Sequence, residues 1–395
     1  MKEKRAWWIF AGCCMIGLLY VGMICNTAGL YFNDMARELK LPMTQVTLTM
    51  SFLNAGGLIG TIFAGILLMK LDVRLLSGLA VLASGGSMIL ASFSANIIAF
   101  YGMWLIIGIC TPLLVTILIP TILGNWFSRK LGLVLGVVYG LSGIGGAAFN
   151  VVMGQVLAAF GWRMALCIEG GLALAGMLPF ALFAFRLRPS VMSQRAVPHQ
   201  EDGWTEKEAR QSKSFYLYLM AALALTIVSS LLQQVSSHIS NLGYDITVSA
   251  LVMSVVMLGC AVGNVSIGSL LDRCPTGAVI GSYSCLGMLG WFGIAFAKEK
   301  LLLFLCGILA GFGQAIFQTG LPFCYRKTYG NREFSKICAD FSLPGSILAI
   351  FSASLGGIIY DHTGSYRFTM LLLGVMFLIA APCIVKAIQY TGKEG

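Results

Sequence analysis

Leu75–Ser128 reads LLSGLAVLAS GGSMILASFS ANIIAFYGMW LIIGICTPLL VTILIPTILG NWFS, fifty-four residues without a Lys, Arg, Asp, Glu or His. The stretch is closed by Arg74 on one side and Arg129 on the other. A helix needs about twenty apolar residues to cross a bilayer's hydrocarbon core. Two crossings therefore fit here, with the polar turn Ser94-Ala95-Asn96 between them.

The same rhythm continues outward in both directions. Of the 395 residues, 58% are hydrophobic and 11% charged, with a mean hydropathy of +0.85, whereas soluble domains carry roughly a quarter charged residues. Apolar runs predict twelve transmembrane helices near 7–32, 46–69, 75–95, 97–125, 132–159, 164–186, 215–239, 247–270, 278–297, 301–324, 337–360 and 368–389. A net charge of +10 raises nucleic acid as a partner. The position of the charges excludes it. With the N-terminus inside, only Arg37, Lys40, Arg163, Lys298, Lys300 and Arg367 of the 26 basic residues fall outside. The positive-inside bias predicts a multi-pass protein of the cytoplasmic (inner) membrane with both termini in the cytoplasm. The basic start before the first apolar run reads as an uncleaved first helix, because the run is too long for a signal peptide. The 12 cysteines show no CxxC spacing and read as buried apolar thiols. His199, His238 and His362 fall on a linker, a helix end and a loop. No metal site, cofactor or catalytic constellation is expected, and the chain is not read as an enzyme.

Residues 189–214 break the hydrophobic rhythm and read as a solvated cytoplasmic linker. They separate an N-terminal six-helix half, 1–188, from a C-terminal six-helix half, 215–395. An offset of 203 residues carries Ser51 to Ser254, Gly60 to Gly263, Gly65 to Gly268, Arg129 to Arg332, Gly154 to Gly357 and Gly161 to Gly364. The expected fold is thus an all-α membrane protein of twelve transmembrane helices in two pseudo-symmetric halves, as in carriers built from parallel repeats. The glycines between Gly136 and Gly146 predict a smooth face on the fifth helix, suited to close packing or to sliding between halves.

Gly268-Ser-Leu-Leu-Asp272-Arg273, and its longer-spaced copy Gly65 to Lys70, Asp72 and Arg74, resemble the cytoplasmic loop motif of the major facilitator superfamily. The resemblance extends over nearly the whole chain and implies a cytoplasmic gate at Gly65, Asp72, Arg74, Arg129, Gly268, Asp272, Arg273 and Asp340. Asn125-Trp126-Phe127-Ser128-Arg129-Lys130, Phe160-Gly161-Trp162-Arg163 and Tyr360-Asp361-His362-Thr363-Gly364 are similar to the monocarboxylate and oxalate–formate porter branch. That branch places cations in its cavity, where this chain has Asn26 and Asn264. A neutral, zwitterionic or protonated acid is therefore as compatible with the residues as an anion.

Polar side chains inside membrane helices must find partners or line water. Glu169 is the only acid well inside a helix of the first half and is a candidate proton carrier, as is His238. The seventh helix carries a polar stripe of Ser230, Gln233, Gln234, Ser237, His238 and Asn241. Gln314 and Gln318 share a face of the tenth helix, and Thr111 maps onto Gln314. With Asn26, Asn54, Asn150 and Asn264, residues Thr111, Gln233, Gln234, Ser237, Gln314 and Gln318 form the candidate substrate-binding set. The resulting expectation is a monomeric secondary carrier that moves a small, monocarboxylate-like solute by alternating access, with protons as the coupling ion. Its alternative is an efflux antiporter for amphiphilic compounds.

Overall fold

The computed structural model describes residues 2–127, 131–185, 203–330 and 332–394. Among these, eleven helices are long and apolar enough to cross a membrane. The one at Val134–Phe183 is broken at Gly161, whose φ of 78° and ψ of 169° no longer belong to a helix. A left-handed φ of this kind suits a residue without Cβ. The break converts that helix into two crossings, so the described chain has twelve spans.

By contacts the chain divides into two compact units. One comprises 1–196 with 243–254, and the other 197–242 with 255–395. The start of the eighth span therefore groups with the first unit. The element bounds repeat between the two parts of the sequence. Met43–Lys70 recurs as Ile246–Arg273, Val73–Phe93 as Thr276–Phe296, and Leu118–Trp126 as Leu321–Tyr329, each displaced by 203 residues. The fourth and tenth spans each contain one π-helical turn at nearly the same offset, Pro112–Thr116 and Ile316–Gly320. Gly161 and Gly364 (φ 68°) match as well.

Close helix contacts follow the glycines. A Cβ built on Gly108 would fall against the Leu53 carbonyl, and one on Gly56 against the Leu105 carbonyl. In the second unit Gly311 meets the Val256 carbonyl and Gly259 that of Ile308 in the same way. Small residues are the main means by which helices approach in lipid. In the fifth-helix run the close approach is made at Gly145. Gly145 packs on Gly22 and the Leu18 carbonyl of the first span, within one unit, while a Cβ built on Gly136 or Gly140 would meet nothing within 4 Å from another element among the described residues.

Beside the Gly161 break, Trp162 and Arg163 clamp the loop helix Phe32–Leu39. Trp162 Nε1 donates to Glu38 Oε2 at 2.6 Å, and Arg163 Nε donates to Glu38 Oε1 at 2.8 Å. Arg163 also holds the carbonyls of Ser92 and Ser94, at 2.9 and 2.6 Å, and lies 4.3 Å over the Trp162 ring. The Arg163 hydrogen bond, helped by Trp162, holds the Glu38 carboxyl below its usual range. A depressed carboxyl contributes stability above its unfolded value, about 4.3. That contribution disappears as pH falls through the lower folded value. Melting curves of wild type and Glu38→Gln should therefore differ by a constant amount near neutrality and converge as the solution is acidified below that range. Curves that stay equally separated at acid pH would show that the clamp owes nothing to the carboxylate charge.

Part of the expected linker is packed structure. Trp204 N donates to the Tyr329 carbonyl at 2.8 Å, and Gly203 bridges to Gly330. Thr205 and Glu208 form a reciprocal capping box that starts the short helix Glu206–Gln211. Arg210 grips Asp340 through Nε at 2.7 Å and Nη2 at 2.5 Å. The seventh span then starts at Lys213, N-capped by Ser212. Composition correctly marked residues 203–212 as polar. Their attachment depends on residues more than a hundred positions away.

Candidate functional site

In the first unit the first span changes character midway. It is α-helical to Ile16, π-helical over Gly17–Cys25 and 3-10 over Ala28–Leu30. Departures from α-geometry inside a span are tolerated where side chains re-satisfy the freed backbone groups. Glu169 from the sixth span meets this interruption, fully buried. Its Oε1 accepts from Tyr31 Oη at 2.6 Å and lies 2.6 Å from Thr27 Oγ1, which is itself 2.7 Å from the Met23 carbonyl. Glu169 Oε2 has no hydrogen-bond partner among the described residues. No Lys or Arg pairs with this carboxyl in the described structure.

Asn26 and Asn150 are brought together beside it. Asn150 Nδ2 donates to the Asn26 carbonyl at 3.2 Å and to the Gly146 carbonyl at 2.7 Å, while Asn26 Nδ2 reaches the Ser142 carbonyl at 3.5 Å. Asn150 is fully buried. Thr111 lies at the start of the fourth-span π-turn, 3.0 Å from Tyr20 Oη, which donates to the Ile107 carbonyl at 2.5 Å. Asn54 is half-buried in the second span.

In the second unit the π-turn of the tenth span carries the other joined group. Asn264 Nδ2 donates to Gln318 Oε1 at 2.7 Å, and Thr319 Oγ1 donates to Asn264 Oδ1 at 2.9 Å. Cys260 Sγ lies 3.5 Å from the same Asn264 amide. Gln314 sits one turn away, buried, with neither amide atom bonded among the described residues. The polar stripe on the seventh helix is interrupted at Leu232–Gln233, and Gln234–Asn241 follows as a separate short helix. There Gln234, Ser237 and His238 are buried. Gln234 Nε2 donates to the Ala353 carbonyl at 3.2 Å, and His238 Nε2 lies 3.1 Å from the Ile294 carbonyl. Gln233 is the residue at the N-terminal boundary of this short helix.

The residues expected at a gate are placed as follows within each unit. Asp72 caps the third span by accepting from Arg74 N at 3.0 Å, and Arg74 Nε holds the Phe185 carbonyl at 3.0 Å. Asp272 and Arg273 are exposed at the end of the eighth span. Asp340 belongs to the Arg210 grip. Gly65 lies within the helix Met43–Lys70, and Arg129 falls outside the described residues. Among the described residues no group of three His, Cys, Asp or Glu could hold a metal ion. Thr27, Tyr31 and Thr319 are the site residues missed in the sequence. The four-residue spacing of Thr27 and Tyr31 placed them on one face, a signal that was available.

Twelve spans, a repeat of helix bounds and interrupted first and seventh spans coincide with a direct family match. The family model of the Major Facilitator Superfamily matches residues 12–339 and 240–391. The chain belongs to the Major Facilitator Superfamily. It is therefore a membrane transporter and not an enzyme. Among similar relatives of this superfamily member is an uncharacterized MFS-type transporter, YhjX, of Escherichia coli (strain K12). It is 23% identical, covering 78% of each chain. Monocarboxylate transporter 12 of Mus musculus is 24% identical over 95% of this chain and 84% of its own length. In fold, the chain is similar to a bacterial homolog of the human lysosomal transporter Spinster, in an inward-facing, unoccupied conformation. The TM-score is 0.76 at 14% identity, over 100% of this chain and 99% of that one. The nucleoside transporter NupG superposes with a TM-score of 0.73 at 14% identity, over 98% of each chain.

Proposed function

We propose that this transporter moves a small monocarboxylate-like solute together with a proton, by alternating access, across a cytoplasmic membrane with both its termini inside. The observation that carries the reading is the hydrogen inventory around Glu169. Thr27 has one hydroxyl proton and two oxygens within bonding distance, the Met23 carbonyl and Glu169 Oε1. A neutral carboxyl, donating from Oε1 to Thr27, gives each contact its own proton. A carboxylate leaves the two contacts sharing one. Glu169 is thus built to hold a proton, and Tyr31 remains bonded to it in either state.

The amide groups support the solute class. Asn264, Gln318 and Thr319, like Asn26 and Asn150, offer donors and acceptors but no positive charge. Such groups suit a carboxylic acid that travels in neutral form, with its proton carried beside it. Names of relatives such as monocarboxylate transporter 12 point the same way.

Proteoliposomes loaded with a pH-sensitive dye test the proposal. An inward gradient of a small monocarboxylate should acidify the lumen faster than it does in protein-free liposomes, where the undissociated acid leaks passively. An amphiphilic cation should not produce this effect. No acceleration by any monocarboxylate, combined with counterflow of amphiphilic cations, would transfer the protein to the efflux reading.

A further inference from the structure

At one end of the first unit a cavity of about 530 Å³ opens between the start of the first span and the end of the sixth. It is lined by Arg5, Trp8, Pro179, Phe180, Phe183 and Ala184. The size lies within the roughly 300–1,000 Å³ of ordinary ligand sites. Its origin is readable in the chain. Pro179 interrupts the hydrogen bonding of the sixth span, and the last turn carries its aromatic rings outward. Phe183 is 78% exposed and Trp8 63% exposed, while Trp8 and Phe180 face each other with ring centroids 6.0 Å apart.

Two features of this cavity differ from the rest of the apolar surface. The first is that, among the described residues, the charged lining residue is a cation, Arg5, with no acidic residue beside it in the lining and no ion pair or hydrogen bond to it. The second is its level. The cavity lies where the spans end, on the side to which the basic residues assign the cytoplasm. Aromatic rings collect at that depth of a bilayer, and anionic lipids of the cytoplasmic leaflet are attracted to basic groups there.

We propose that this cavity is a binding site for an anionic phospholipid. The phosphate sits on the Arg5 guanidinium, and the glycerol backbone with the upper acyl chain lies along Trp8, Phe180 and Phe183. Charge complementarity selects the headgroup, and the exposed rings require an occupant that is apolar below it. A soluble phosphate ester satisfies only the first condition. The site is separate from the Glu169 cluster and stands whether or not the transporter carries acids.

Native mass spectrometry of the detergent-purified protein, titrated with equal phosphatidylglycerol and phosphatidylcholine, reads the site directly. Wild type should retain phosphatidylglycerol in preference. Arg5→Gln should reduce that preference by about fivefold, the effect of one basic group near an anionic surface. Arg37→Gln removes a charge from the loop helix at the far end of the first span and should leave it unchanged. Equal retention of the two lipids by wild type, or an unaltered preference in Arg5→Gln, would overturn the proposal. Thermal stabilisation by glycerol 3-phosphate equal to that by phosphatidylglycerol would also overturn it, in favour of a free phosphate ester.

Discussion

Glu169→Gln is expected to leave a folded transporter whose substrate affinity no longer responds to pH. The amide occupies the same volume and still offers Tyr31 an acceptor, but it can neither take up nor release a proton. The proposed mechanism couples the two ligands through one buried group, and coupling free energies between linked sites are typically about 1–3 kcal/mol, or roughly 5- to 150-fold in affinity. The apparent affinity of wild type for its acid substrate should therefore change by a factor in that range between acid and neutral pH. In Glu169→Gln the profile should be flat, concentrative transport lost, and substrate counterflow retained, because exchange of loaded carriers needs no net proton movement. Tyr31→Phe gives an intermediate test. It removes one hydroxyl from Oε1 and should displace the wild-type profile along the pH axis without flattening it. A Glu169→Gln protein that still accumulates substrate with the wild-type pH profile would remove Glu169 from the mechanism and leave it a structural link between the first and sixth spans.

The second large effect is on stability. Gly108→Ala should destabilise the first unit by about 3 kcal/mol, at the upper end of what overpacking costs, because the added methyl meets backbone and not a movable side chain. The neighbouring contact, Gly56 against the Leu105 carbonyl, shares the same seam. Separating the two helices to admit one methyl would therefore loosen both contacts at once. The control is Gly86→Ala in the third span, where a Cβ would meet nothing within 4 Å. That change replaces a poor helix former by the best one and should be neutral or slightly stabilising. Thermal unfolding in detergent compares the two. Equal melting temperatures for Gly108→Ala and Gly86→Ala would mean that the second and fourth spans are not held at the distance the structure gives them.

What the sequence revealed depended on how local the physics was. Span count rests on apolar run length, which a single chain displays openly. The repeat showed itself through a few glycines and arginines, and the element bounds extend it to whole helices. The internal changes of geometry in the first, fourth and tenth spans were hidden, because a π-turn disturbs hydrogen bonding without interrupting the apolar run. The partners of Glu169 were hidden for a related reason. Thr27 and Tyr31 lie some 140 positions from it, and only the packing of the first span against the sixth brings them into contact. Arg210 and Asp340 illustrate the opposite error. Each is expected from the sequence as a charged residue on the cytoplasmic side, but their pairing turns part of a presumed free tether into attached structure. In the seventh helix the polar stripe spans two helical segments, Lys213–Leu231 and Gln234–Asn241, a division that the spacing of its polar residues does not announce.

The matched bounds of Met43–Lys70 and Ile246–Arg273 concern which kinds of change this chain can survive. A substitution alters one side chain and leaves every other in place. A one-residue insertion inside a span turns everything beyond it by about 100° around the helix axis. Rings that faced lipid would then face a neighbouring backbone, and Gly108 or Gly311 would leave its seam. The two sequences have the same length of 28 residues and are identical at nine positions, Gly56/Gly259, Gly60/Gly263 and Gly65/Gly268 among them. Their common inheritance is therefore a count, together with the places where small residues fall. Insertions and deletions belong between the elements, and exchange of helices between the two parts is feasible only at bounds that keep the count.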